Sequence, residues 1–250
     1  MLLQKHAAPE ACCTRSRSPT VMDQGRTPGE VLVFIENIRE IFYDKHVRLF
    51  VQDEKEVEDL NTRYNIDEAI NDKITWAEKW MNSDELFGVR LVAFAIVEGL
   101  FFTGSFAAIF YLKHLGLMNS LARGNELVAR DEQLHFEFAC YLHHKIPSEL
   151  KASEDDILKI TKEAYDIEEK FYTKSLNVNI IGMKKDDMQQ HIQYTPNNVL
   201  ESLNCKKLFN VKTPFDFMEN MKLNRKTNCF ERKPAEYLKV QRKELNFNDL

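Results

Sequence analysis

Three short patterns of charged residues in this sequence could do chemistry together. Glu98 stands near the middle of VRLVAFAIVEGLFFTGSFAAIFYL, a run that is otherwise almost wholly apolar. An isolated carboxylate is strongly disfavoured in such surroundings, so Glu98 needs a partner from a neighbouring element. Downstream, Glu132-Gln133-Leu134-His135 sets a carboxylate and an imidazole three residues apart, which puts both on one helix face. Upstream, Glu36-Asn37-Ile38-Arg39 has the same spacing with Arg in the last place. Helical bundles that bind two irons through carboxylates take one carboxylate from each of two helices and a Glu-x-x-His pair from each of two others. Glu98, Glu132, His135 and Glu36 fit three of those four contributions. A lone Glu-x-x-His pair reads as a solvated face or a structural pairing; the glutamate inside the apolar run brings a metal site level with that reading.

The elements that must position these residues read as helices. Ile35, Ile38, Phe42, Leu49 and Phe50 recur at helical spacing over 31–53, and Ile70, Ile74 and Ala77 share a face over 67–81. The apolar segment 87–115 reads as one helix, long enough to cross a bilayer. A charged glutamate at its centre would cost about 2.5 kcal/mol or more there, and no second span follows to pair with it. The buried centre of a large bundle is therefore the preferred reading. Further helices are expected over 121–145, 153–174 and 184–203. Ser153 followed by Asp156 supplies an N-cap and an acidic third position ahead of Ile157, Ile160 and Ala164. No run alternates with period two, and the last fifty residues read as turn and irregular structure.

Composition agrees with helices. Only 8 Gly and 7 Pro occur, with 44% hydrophobic and 29% charged residues, an ordinary balance for a soluble globular protein. A net charge of −5 gives no electrostatic reason to expect nucleic acid. The five cysteines, Cys12, Cys13, Cys140, Cys205 and Cys229, are odd in number and lack CxxC spacing. That pattern argues against a disulfide framework and for a reducing compartment. Residues 1–28 are rich in Pro, Gly, Ser, Thr and Arg, lack a signal-peptide pattern, and read as a disordered leader rather than a transit peptide.

Beyond spacing, long ordered stretches carry a resemblance. VRLVAFAIVEGLFFTGSFAAIFYLKHLGLM followed by NELVARDEQLHFEFAC is similar to the central helices of class I ribonucleotide reductase small subunits. FIENIREIFYDKH, NIIGM, TPFDFMENM and KTNCFE resemble that family too. The resemblance covers about residues 31–237. It implies an all-α, ferritin-like bundle over 29–237 and a flexible tail over 238–250. The implied activity is ribonucleoside-diphosphate reduction, in the cytoplasm. The small subunit holds a di-iron site and a tyrosyl radical that a large subunit uses to make deoxyribonucleotides. It further implies that Glu98, Glu132 and His135 bind one iron and that Glu36 bridges to the second. Tyr43 falls on the radical position, with Phe102, Phe106 and Val128 around it, and Asp131 and Tyr237 fall on the radical-transfer route. The implied partners are a second small subunit, identical or complete, and a large subunit that captures the C-terminal tail. Neither nucleic acid nor membrane is implied.

The sequence also departs from the family. The upstream helices, with the aspartate that is the first iron ligand and the tryptophan of the transfer route, have no counterpart here. Arg39 stands where the second Glu-x-x-His pair has its histidine, and a guanidinium has no free lone pair for a metal. Both losses fall on the iron beside Tyr43. One well-ligated metal at most is therefore expected, with Arg39 paired to Asp131 or Glu36 in the place of the other. The tail, Asn246-Phe247-Asn248-Asp249-Leu250, keeps an aromatic and an acid but ends in Leu. The alternatives are a catalytically silent or truncated small-subunit paralogue acting as a dimer partner and a ferritin-like iron oxidase without a radical role.

Overall fold

The computed structural model describes residues 28–62, 67–174 and 182–218. Within them the chain is helical, with no strand among the described residues: α1 (Pro28–Arg48), α2 (Glu54–Thr62), α3 (Glu68–Met81), α4 (Phe87–Gly99), α5 (Thr103–His114), α6 (Asn119–Lys145), α7 (Glu154–Lys174) and α8 (Lys185–Ser202). A single 3-10 turn, Ser148–Leu150, joins α6 to α7. The leader, the tail and Tyr237 lie outside the described residues.

Helix α4, apolar but for Arg90 and Glu98, is enclosed by α3, α6, α7 and α8. Val92, Ala93, Ile96 and Val97 are all but inaccessible to solvent, and they pack with Trp76, Trp80, Phe136, Ile160, Val199 and Leu200 in the main core. A smaller core gathers Tyr165, Tyr172, Met183, Met188, Ile192 and Phe215 around the small residues of α5. The segment Phe87–His114 is apolar enough to cross a membrane, but its hydrophobicity serves this interior: 56% of its most apolar window is buried inside the bundle.

Local chemistry fixes the ends of the helices. Asp67 caps α3 through Oδ1, which accepts from the backbone N–H groups of Ala69 and Ile70. At the start of α7, the Asp156 N–H donates to Ser153 Oγ while the Ser153 N–H donates to Asp156 Oδ2. This reciprocal pair is the one that the sequence spacing predicts.

Two elements differ from the sequence expectation. The first helix stops at Arg48 rather than continuing to residue 53, and a further short helix, α2, follows. Asp53 starts that second helix by accepting from the N–H groups of Lys55 and Glu56; an N-cap aspartate interrupts a hydrophobic period that otherwise reads as continuous. The expected single helix over 87–115 is broken at residues 100–102. There the Thr103 hydroxyl turns back to the Gly99 carbonyl, 3.0 Å away, a contact that bends helices.

The cap at α7 yields a prediction. Ser153→Ala should lower stability by about 1 kcal/mol, read as a shift in the midpoint of urea denaturation with an unchanged slope.

Candidate metal centre

The centre is assembled by α1, α4 and α6. Helices α1 and α6 run antiparallel and meet in a ladder of side-chain contacts. Arg39 reaches Glu132 and Asp131, Tyr43 reaches Asn125, and His46 reaches Ser120. Close approach midway depends on Gly124, where a Cβ would fall 2.0 Å from the ring of Phe42. On the other side of α6, a Cβ on Gly99 would lie 2.6 Å from the ring of Phe136. That contact brings the last turn of α4, with Glu98, against the turn of α6 that carries Glu132 and His135.

Glu98, Glu132 and His135 each present a ligand atom, all within 4.8 Å of one another. Both glutamates are buried, and His135 is partly open to solvent. His135 Nδ1 lies 3.4 Å from Glu132 Oε2 and 3.7 Å from Glu98 Oε2. Interaction with Glu132, then with Glu98, raises the imidazole to about 10. Burial pushes Glu98 up to about 8. Burial also opposes ionisation of Glu132, but His135, Glu98 and Arg39 together hold it down at about 2.

Arg39 is only 4% exposed, and its guanidinium stands among three carboxylates. Nη1 donates to Glu36 Oε1 at 2.5 Å and to Glu132 Oε1, while Nη2 donates to Asp131 Oδ2 at 3.2 Å. The sequence expectation of a pair with Asp131 or Glu36 is met by both and extended to Glu132. Glu36 is consequently turned to Arg39 and is not among the three converging donors; its Oε2 is buried with no hydrogen bond among the described residues. Burial raises Glu36 against the pull of Arg39.

Tyr43, on the face of α1 one turn beyond Arg39, is half-buried and donates its hydroxyl to Asn125 Oδ1 at 2.6 Å. Burial pushes its phenol up to about 12. Phe102 and Phe106 pack ring to ring at 6.4 Å, and they and Val128 are half-buried. Asp131, with its side chain 45% exposed, sits at the outer edge of the Arg39 cluster. Sequence reasoning missed Asn125. It lies two helical turns before Glu132 and therefore on the same face of α6, a signal that was present.

The described residues fit one metal and not two. Two carboxylates and an imidazole are a suitable donor set for a first-row divalent ion, whereas the neighbouring carboxylates are already bridged by Arg39. The charges of the buried groups agree: ionised Glu36, Glu98 and Glu132 with Arg39 and one divalent ion sum to zero, and a second ion would leave an excess of two positive charges, with the half-exposed Asp131 left to solvent.

This geometry meets its counterpart in known proteins. The family model described as "Ribonucleotide reductase, small chain" matches residues 23–214. The chain belongs to the ribonucleotide reductase small-chain family. The family match is reinforced by a ribonucleoside-diphosphate reductase small subunit of Dictyostelium discoideum, 39% identical over 92% of this chain and 68% of that protein. A ribonucleoside-diphosphate reductase small chain of Vaccinia virus (strain Ankara) is 41% identical over 82% of this chain and 64% of its own. Among solved structures, the ribonucleotide reductase Rnr4 homodimer of Saccharomyces cerevisiae superposes with a TM-score of 0.69 at 30% identity, covering 78% of this chain and 62% of that one. This small-chain member thus spans about two thirds of the length of these relatives. Its fold is the ferritin-like helical bundle of reductase small subunits, in an oxidoreductase family.

Two predictions follow from the charge balance. Arg39→Met leaves Glu36 and Glu132 buried beside each other without their cation, and should cost about 3 kcal/mol or more in urea denaturation. Adding Glu36→Gln should recover part of that loss; an equal loss in both variants would show that the cost is packing rather than charge. Metal uptake should depend steeply on pH, because below about 8 both Glu98 and His135 hold protons that an ion must displace. Affinity should rise with two protons released per ion below pH 8, falling to one between pH 8 and 10. Calorimetry in buffers of different ionisation enthalpy measures the release, and a pH-independent affinity would contradict the assignment.

Proposed function

We propose that this chain is a ribonucleoside-diphosphate reductase small subunit that holds one metal per chain, iron by family usage, at Glu98, Glu132 and His135. The convergence of those three donors carries the reading. A metal bound there would supply redox chemistry toward oxygen. The chain's own residues set its surroundings. Glu98 gives up its proton to ligate, His135 gives up the proton that its carboxylate neighbours hold on it, and Glu132 divides its oxygens between the metal side and Arg39. The apolar side chains of α4 and α5 exclude water from one side.

Tyr43 is the proposed radical site, with Asp131 and Tyr237 on the transfer route. Oxidation of a phenol releases a proton as well as an electron, and the group that faces the Tyr43 hydroxyl is the amide oxygen of Asn125, which is no base. With Arg39 in the position of the second metal, and an amide rather than a base as the hydrogen-bond partner of Tyr43 among the described residues, this chain alone is not expected to oxidise Tyr43. The partners proposed are a second small subunit and a large subunit that receives the tail, in the cytoplasm. Association is supported by apolar side chains left exposed on α1 and α6, among them Ile38, Ile41, Leu134 and Phe138. The solved relative from Saccharomyces cerevisiae is itself a homodimer.

A second reading, a catalytically silent paralogue that completes a dimer with a full small subunit, is favoured by the Arg39 cluster. Anaerobic iron titration followed by exposure to oxygen tests both. The expected result is at most one metal per chain and no tyrosyl signal in electron paramagnetic resonance. A signal that disappears in Tyr43→Phe would overturn the one-metal account. Arg39→His should raise metal uptake only partly.

A further inference from the structure

On the far side of α4 from Arg39 lies a second buried cation that neither the sequence patterns nor the proposed function uses. Lys73 of α3 is 4% exposed, and its Nζ lies 2.5 Å from Oε2 of Glu168, a residue of α7 that is 1% exposed. The same ammonium stands 3.8 Å from the centre of the Phe171 ring and 5.4 Å from that of Phe101. It also donates to the Phe101 carbonyl at 3.1 Å. Phe101 lies in the break between α4 and α5, three residues after Glu98.

A break in a helix leaves carbonyl groups without the amide four residues on, and each needs another partner when buried. Here the replacements are specific. The Gly99 carbonyl takes the Thr103 hydroxyl at 3.0 Å and the Leu100 carbonyl takes the Thr103 N–H at 3.2 Å. Phe101 takes Lys73, and Phe102 returns to the helical pattern by accepting from the Phe106 N–H at 3.0 Å. Among the described residues, Lys73 is thus the tether that connects this break to another helix through a charge. Glu168 holds the ammonium in place, and Phe101 is wedged edge-on against Trp76 at 5.1 Å.

We propose that Lys73, anchored by Glu168, is a positioning residue for the metal centre: by holding the Phe101 carbonyl it fixes the α4–α5 break and so the direction in which Glu98 faces Glu132 and His135. The inference rests on the assignment of those three residues as ligands. It makes the buried pair a remote part of the centre rather than a tie between α3 and α7 alone.

The test uses the full chain and cobalt(II), whose visible absorption reports ligand geometry. In the double variant Lys73→Met/Glu168→Gln, which leaves no unpaired charge, cobalt affinity should fall at least tenfold and the absorption bands should shift. The metal-free circular dichroism should stay helical. Unchanged affinity and bands in a folded double variant would overturn the proposal. If that variant fails to fold, Thr103→Val removes a different tether of the same break without touching the ion pair. It should weaken cobalt binding in the same direction, and an unaltered spectrum would again overturn the proposal. His135→Ala in the otherwise native chain separates the two claims: cobalt binding that survives it refutes the ligand assignment itself, whatever Lys73 does.

Discussion

A carboxylate inside an apolar bundle must be matched by positive charge, and that requirement organises this molecule. Glu36, Glu98, Glu132 and Glu168 are all buried on or against the helices that enclose α4. Removing such charges from water costs several kcal/mol each before any pairing is counted. Two internal cations, Arg39 and Lys73, and one imidazole, His135, supply the compensation. The positions of these groups decide which helices can be neighbours: α1 docks on α6 through Arg39, and α3 docks on α7 through Lys73. Apolar packing supplies the cohesion of the core, but the charges set the register.

The same requirement explains why the centre is lopsided. Toward His135 the carboxylates converge on the imidazole, which they raise, while burial raises Glu98. Toward Tyr43 the space is taken by a guanidinium that cannot ligate. Glu132 belongs to both halves, and Arg39 and His135 divide its two oxygens. Any change in the charge of one half is felt in the other through this side chain.

Much of this was legible in the sequence. A glutamate in an apolar helix, two pairs at three-residue spacing and a capping serine are local patterns, and the structure places each of them on the helix expected. The family resemblance of the long central stretches extended this to the bundle itself. The remainder depended on contacts between distant segments. Nothing local to Lys73 or Glu168 distinguishes them from the many surface lysines and glutamates, and their pairing appears only when α3 and α7 are side by side. The break after Gly99 was hidden because hydropathy is continuous across it; a hydroxyl and a lysine, rather than a proline, accommodate it. The interruption at residue 53 was obscured for the opposite reason, since the apolar spacing persisted while the cap changed the backbone. Glu36 was read as a ligand from its spacing, but the arginine one turn along competes for the same carboxylate.

Arg39 also changes how this protein relates to its surroundings. A metal ion is an exchangeable component, whose occupancy rises and falls with supply, chelators and competing ions. A guanidinium on the backbone is not: it is synthesised with the chain, is present at one copy per site, and keeps its charge at any pH a cell reaches. The part of the bundle around Glu36 and Asp131 therefore has a permanent positive charge at its centre. The contact between α1 and α6 thus carries its own fixed positive charge, held by the sequence rather than by an exchangeable ion.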